Sequence, residues 1–145
     1  MPPTFVVIGS DHAGVALKAV LADHMRSRGI EVLDLGPDST ASVDYPDYAK
    51  AVCTEVLARQ APGVLVCGSG IGMSMTANRF PGIRAAVCAL AYQAKVTRLH
   101  NDANVLCLGE RITGQGAALD ILDTFLDTPF EGGRHLRRVG KIEAC

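Results

Sequence analysis

The sequence predicts an α/β domain: a parallel five-stranded sheet with helices on both faces. Three observations predict it. Five short apolar runs recur along the chain, separated by segments of helical periodicity. The runs are continuously apolar rather than alternating, as suits strands covered on both sides. The 145 residues are 48% apolar, enough for one substantial core and too few for two well-sized ones.

Taken in order, Phe5, Val6, Val7 and Ile8 form the first strand, ended by Gly9. Leu17, Val20, Leu21 and Met25 then share one face of a helix that Gly29 closes. Val32 and Leu33 with Leu35 form a second strand before the turn Gly36-Pro37-Asp38-Ser39. Tyr48, Val52, Val56 and Leu57 are the expected buried positions of the next helix. Gly63-Val64-Leu65-Val66-Cys67 is the third and most apolar strand. It runs into Gly68-Ser69-Gly70-Ile71-Gly72 and a helix reaching about residue 78. Ala85-Ala86-Val87-Cys88 is the fourth strand, with a helix near residues 92–99, and Val105-Leu106-Cys107-Leu108 is the fifth. Ala118, Ile121, Leu122, Phe125 and Leu126 mark one face of the last long helix. After Pro129 the character changes: Gly132-Gly133 breaks the chain, and residues 134–141 hold four of the 14 basic residues and no acid. The expected organisation is a single domain over 1–145, with a core over 1–128 and a basic tail over 129–145.

Composition excludes several classes. Fourteen basic residues against 15 acidic ones give a net charge of -1, which argues against a nucleic-acid-coating protein and against disorder. No apolar run approaches the roughly 18 residues of a membrane span. The start Met1-Pro2-Pro3-Thr4 has no basic segment typical of a signal peptide. The five cysteines are odd in number and show no C-x-x-C pair, so neither a zinc site nor a dithiol is expected. The expected setting is reducing and cytoplasmic, with most thiols acting as small core hydrophobes.

In an open parallel sheet, ligands bind outside the carboxyl ends of the strands. That rule selects Ser10-Asp11-His12, the stretch from Cys67 to Ser74, and Gly109-Glu110-Arg111. The turn after strand three can point backbone N–H groups at an anion. The bland alternative is a turn whose glycines serve packing alone. Met73 occupies the position where a dinucleotide fingerprint needs glycine and a phosphatase loop needs arginine, so both motifs fail. Gly9 and Gly14 have Walker A spacing, but Val15-Ala16 replace the Lys-Ser/Thr pair. Cys67, at a strand end near a helix start, is a candidate nucleophile or base, or else a buried strand-end cysteine. His12 and His100 gain weight beside it; alone each reads equally as a cap or surface residue. His24 reads as a surface or half-buried residue, and His135 belongs to the basic tail. Arg134 and Arg138 share a helix face, and Arg111 is a third cation for an anion. The tail also reads as a solvated basic face.

These pieces together resemble the ribose-5-phosphate isomerase B family, which includes the galactose-6-phosphate isomerase subunits. The matching stretches are Gly9-Ser10-Asp11-His12-Ala13-Gly14, Asp44-Tyr45-Pro46, Cys67-Gly68-Ser69-Gly70-Ile71-Gly72, Ala77-Asn78-Arg79, Gly82-Ile83-Arg84-Ala85, His100-Asn101-Asp102-Ala103-Asn104-Val105-Leu106 and Glu131-Gly132-Gly133-Arg134-His135. The resemblance implies a three-layer α/β/α Rossmann-like sandwich with strand order 2-1-3-5-4. It implies a homodimer, in some members paired into a tetramer, with sites shared between subunits and the C-terminal tail packing on the partner. It implies interconversion of ribose 5-phosphate and ribulose 5-phosphate through an enediolate, without metal or organic cofactor. By residue, Cys67 corresponds to the base between C1 and C2. Some members use a glutamate further along the loop, at the position Met73 holds here. Ser69 corresponds to the hydroxyl that helps move the proton between O1 and O2. The N–H groups of Gly68, Gly70, Ile71, Gly72, Met73 and Ser74 correspond to the anion hole. His100 with Asp11 corresponds to the ring-opening pair. Tyr45 and Asn101 correspond to sugar-hydroxyl contacts, and His12, Arg111, Arg134 and Arg138 to the phosphate grip.

Other readings compete. Allose 6-phosphate or galactose 6-phosphate would suit the same chemistry. A non-catalytic phosphosugar-binding regulator would keep the fold but needs no Cys67/Ser69/His100 set. A cysteine hydrolase would use Cys67 and His100 but needs no phosphate arginines.

Overall fold

The computed structural model describes residues 1–145. Five parallel strands, β1 (Phe5–Ser10), β2 (Glu31–Asp34), β3 (Gly63–Cys67), β4 (Ala85–Val87) and β5 (Val105–Gly109), lie in the order β2-β1-β3-β5-β4. The helices are α1 (Val15–Ser27), α2 (Tyr45–Arg59), α3 (Ile71–Ala77), α4 (Ala91–Asn101), α5 (Gln115–Asp127) and α6 (Arg134–Glu143), and a 3-10 turn (His12–Gly14) precedes α1. Class and strand order are those expected.

The continuous apolar runs make the central strands β1, β3 and β5, while the edge strands β2 and β4 are only partly covered. Side chains alternate across the sheet. Ile8, Val66, Leu106 and Leu108 pack under Leu17, Leu21 and Met25 of α1 and Ile121, Leu122 and Phe125 of α5. Val7, Leu65, Cys67 and Cys107 pack under Val52 and Val56 of α2 and Met73 of α3. Each such large apolar side chain contributes roughly 1.5–3 kcal/mol on burial. One expectation changes, and one burial was not anticipated. Leu57 is exposed, because neighbouring helical positions diverge by about 100° and Val56 takes the core-facing one. Conversely Lys18 is buried on the α1 face, where its ammonium meets both Asp34 oxygens at 2.7 and 2.8 Å and ties α1 to the end of β2.

Strand polarity positions the chemistry. All five strands end on one edge, and the order reverses direction between β1 and β3, the switch point where ligands bind. α4 ends at Asn101, just before β5 begins, so its C-terminus lies at the opposite, amino edge. The two edges are separated by at least the length of β3, about 13 Å at 3.3 Å per residue.

The tail is folded rather than free. Gly132 and Gly133 both take positive φ, 73° and 58°, and turn the chain into α6. His135 and Val139 face inward beside α4, and Glu143 accepts from Arg84 Nη1 at 2.5 Å and from the Gly82 N–H at 2.9 Å. One face of α6 thus packs on its own chain, leaving Arg134, Leu136 and Arg138 on the outside.

The end of β5 lies against the loop after β3. A Cβ at Gly109 would sit 2.6 Å from the Ser69 carbonyl carbon, with only backbone to yield. Gly109→Ala should therefore destabilise the fold by about 1–3 kcal/mol, read as a lower urea midpoint. An unchanged midpoint would show that this approach is not constraining.

Candidate active site

Cys67 is the last residue of β3 and is only 5% exposed. Its Sγ accepts the Gly70 N–H at 3.1 Å, a donor that can stabilise negative charge on sulfur. Gly70 holds φ at 80° with its Cα against the Leu108 backbone, so a side chain there would be strained and crowded. The first N–H groups of α3 have no intrahelical acceptor. Ile71 N–H finds Ser69 Oγ at 3.2 Å and Ser74 N–H finds the Gly70 carbonyl at 3.2 Å, leaving those of Gly72 and Met73 to face an anion.

The neighbouring strand ends converge on this turn. After β1, Asp11 donates its N–H to the Val66 carbonyl at 3.1 Å, and its Oδ1 caps the 3-10 turn through the Ala13 N–H at 2.9 Å. His12 Nδ1 accepts the Val43 N–H at 3.1 Å, which assigns its ring proton to Nε2. After β5, Arg111 donates its N–H to the Gly68 carbonyl at 3.0 Å, and its guanidinium lies over Gly68. Tyr45, first residue of α2, lays its ring against Gly72, where a Cβ would come within 2.6 Å of it. The carboxyl edge thus assembles Asp11, His12, Tyr45, Cys67, Ser69, the loop from Gly68 to Ser74, and Arg111.

The other expected residues lie elsewhere. His100 and Asn101 end α4, and Arg134 and Arg138 lie on α6, all at or beside the amino edge. His100 stacks on His135 with ring centroids 4.4 Å apart and does not meet Asp11 within one chain. The predicted constellation is therefore split into two halves on opposite edges.

Sequence reasoning selected Glu110 by its place at a strand end but assigned it no role, and it missed the contacts that hold His12 and meet His100. Val43 holds His12 from a loop with no pattern of its own. Glu110 Oε1 accepts the Leu17 N–H at 2.7 Å and so anchors α1 to the end of β5. Glu131 and His135, four residues apart, meet His100; that spacing was the available signal. A cleft of about 650 Å³ at the amino edge includes Arg84 and Arg98, but both are engaged within the chain, with carbonyls of Asp102 and Ala103 and the Asp102 carboxylate.

With the geometry in place, comparison with known proteins is specific. The profile of a family described as ribose/galactose isomerase matches residues 6–142. Ribose-5-phosphate isomerase B of Escherichia coli (strain K12) is 44% identical over 140 residues, covering 96% of this chain and 94% of its own. The crystal structure of a ribose 5-phosphate isomerase from Thermotoga maritima superposes with a TM-score of 0.95 at 49% identity, over 98% of this chain and 99% of that one. Ribose-5-phosphate isomerase B from Mycoplasma genitalium, solved with bound ribulose-5-phosphate, gives 0.93 at 40% identity over 98% and 96%.

The five thiols differ in reactivity, since the thiolate is the reactive form. Burial pushes Cys53 up to about 12 and Cys88 to about 11, and lifts Cys107 well above the usual thiol value. At pH 8 the thiolate fraction of Cys53 is then about one in 10⁴. Cys145 is exposed. Iodoacetamide at pH 8 followed by mass spectrometry should label Cys145 quickly and leave Cys53, Cys88 and Cys107 unlabelled until urea is added. Native labelling of Cys53 at the rate of Cys145 would contradict this ranking.

Proposed function

The chain belongs to the ribose/galactose isomerase family, and from that premise we propose that it interconverts ribose 5-phosphate and ribulose 5-phosphate, with Cys67 as the base. The observation that carries the choice of base is the Gly70 N–H on Cys67 Sγ, at the mouth of a loop with unpaired N–H groups. Met73, fully buried in the core, cannot replace it.

In this reading Cys67 takes a proton from one carbon of the C1–C2 pair of the open-chain sugar and returns it to the other. The intermediate carries its negative charge on oxygen. The N–H groups of Gly72 and Met73 can stabilise that charge as it forms, which a base alone cannot do. Ser69 moves the proton between O1 and O2, so the cycle closes with no net gain or loss. His12, through Nε2–H, and Arg111 hold the phosphate and orient the carbon chain, while Tyr45 contacts a sugar hydroxyl.

Ring opening requires a second copy. His100, Asn101, Arg134 and Arg138 lie at the edge away from Cys67, so they serve a site only if one subunit's amino edge meets the carboxyl edge of another. Exposed apolar residues support a homodimer of this kind: Ile71, Met75, Tyr92 and Ile112 beside the carboxyl edge, and Leu136 on α6. The domain then spans 1–145, with residues 129–145 delivering Arg134 and Arg138 to the neighbour's phosphate. The uncrosslinked cysteines fit a reducing, cytoplasmic setting.

Conversion of ribose 5-phosphate, followed as ketose formation, should fall by about 10²–10⁴-fold in kcat for Cys67→Ala, with KM little changed. Full activity in that variant would remove Cys67 as base. Arg134→Ala should raise KM; unchanged kinetics would take α6 out of the site. Subunit mixing tests the shared site directly. Cys67→Ala and His100→Ala proteins, each inactive, should regain about a quarter of wild-type activity after co-refolding, since each mixed dimer has one intact site. No recovery would place both residues in the same chain's site.

A further inference from the structure

Outside the carboxyl-edge site, one cluster of donors stands close together. Glu131 Oε2 lies 4.0 Å from His100 Nε2, and Glu131 Oε1 lies 4.0 Å from His135 Nε2. The three ligand atoms are all within 4.8 Å of one another. Neither 4.0 Å contact is a hydrogen bond, so the carboxylate straddles the two rings with a gap between. His135 is only 5% exposed, and its Nε2 has no hydrogen-bond partner. Such orphaned buried nitrogens are rare in folded proteins and call for a missing partner.

We infer that His100, Glu131 and His135 bind a divalent transition-metal ion of the zinc class, and that the ion inhibits the enzyme by occupying His100. Binding follows from this cluster alone; inhibition rests on the isomerase reading above.

The donor set is two imidazoles and one carboxylate, a combination zinc accepts with a fourth position open to water. Burial, and then the neighbouring His100 and Arg134, hold His135 below the usual histidine range, so its ring is neutral at pH 7 and offers a lone pair. The main chain holds the frame. Glu131 donates its N–H to the Leu99 carbonyl at 3.1 Å, and the two positive-φ glycines bring α6 back against α4. The rings are stacked at 16°, so their lone pairs run side by side rather than converging. A tetrahedral ion sets its donors about 3.4 Å apart, and His100, with 43% of its side chain exposed at a helix end, has room to swing in. Arg134 and Arg138 oppose a cation held by charge alone. That selects ions that bond well to nitrogen over magnesium or calcium.

Zinc chloride titrated calorimetrically into the intact protein, in a Cys145→Ser background that removes the exposed thiol, provides the test. Parallel assays follow isomerisation with and without zinc. The expected result is one zinc per chain, no binding of magnesium, and inhibition that a chelator reverses. Glu131→Gln alters an exposed side chain and should fold, and its inhibition by zinc is scored against its own activity in metal-free buffer. It should weaken zinc binding about 10–100-fold and raise the inhibitory concentration in step. His135→Gln should do the same. Absence of binding at millimolar zinc, or equal affinity and inhibition in Glu131→Gln, would overturn the site. A protein that binds zinc as described but isomerises no phosphosugar would keep the site and sink the functional reading. One that isomerises but binds no zinc would do the reverse.

Discussion

The chemistry depends on three strand ends held together by main-chain hydrogen bonds. Asp11 bonds back to Val66, Glu110 to Cys67 and Arg111 to Gly68, all at 2.9–3.1 Å. These contacts use backbone atoms only, so the loop around Cys67 is fixed by strand register and not by side-chain rotamers. Gly14 and Gly109 permit the approach, since a Cβ at either would collide with backbone atoms of Val66 or Ser69. Register matters for a second reason: a slip of one residue would turn Cys67 from the α2/α3 face to the opposite face. Placing a functional group on a rigid strand end in this way gives the geometric tolerance that catalysis needs.

Parallel strands impose a cost on function as well as a benefit. Every strand ends on the same edge, which concentrates loops there, but every helix that returns to start a strand must end on the other. His100 is carried by such a returning helix, and α6 docks beside it. No local adjustment can bring these residues to Cys67 across the sheet. Symmetry offers the resolution, because a two-fold axis can join unlike edges of identical chains and does so twice. In that arrangement each copy presents half of two sites, and neither half is sufficient.

Much of this was legible in the residues. The apolar runs located all five strands, most sharply β1, β3 and β5, where burial on both faces leaves little freedom in composition. The strand-end rule picked out Cys67, Asp11 and Arg111 without any partner information. What escaped detection depends on tertiary neighbours. Leu57 matches the apolar stripe but loses the core position to Val56. Lys18 defies its type because Asp34 arrives from another strand. The Val43 contact that sets the His12 tautomer comes from a patternless loop 31 residues away. The basic tail looked like solvated charge, yet one side of it carries His135 and Val139 into the fold. A charge count cannot separate the two faces of a helix; spacing can, once something is known to lie beneath.

The proposed division of the phosphate grip between two copies has a thermodynamic consequence. His12 and Arg111 belong to one edge, Arg134 and Arg138 to the other; in the proposed dimer a single phosphate dianion would bridge them only where two chains meet. A ligand that binds the dimer better than the monomer must stabilise the dimer by the same free energy, whatever the path. Without ligand, Arg111 of one copy and Arg134 and Arg138 of the other would repel one another across such an interface. A phosphosugar bound there would replace that repulsion with charge-assisted hydrogen bonds on both sides. In that dimer, substrate and subunit association would be coupled through the same four side chains, three arginines and the His12 Nε2–H donor. The acidic remainder of the chain, ten basic residues against 15 acidic, leaves the cluster of residues 134–141 as the one strongly positive stretch available for that role. The near-zero net charge of the whole molecule conceals this polarity, which in the proposed dimer would help orient one copy against the next.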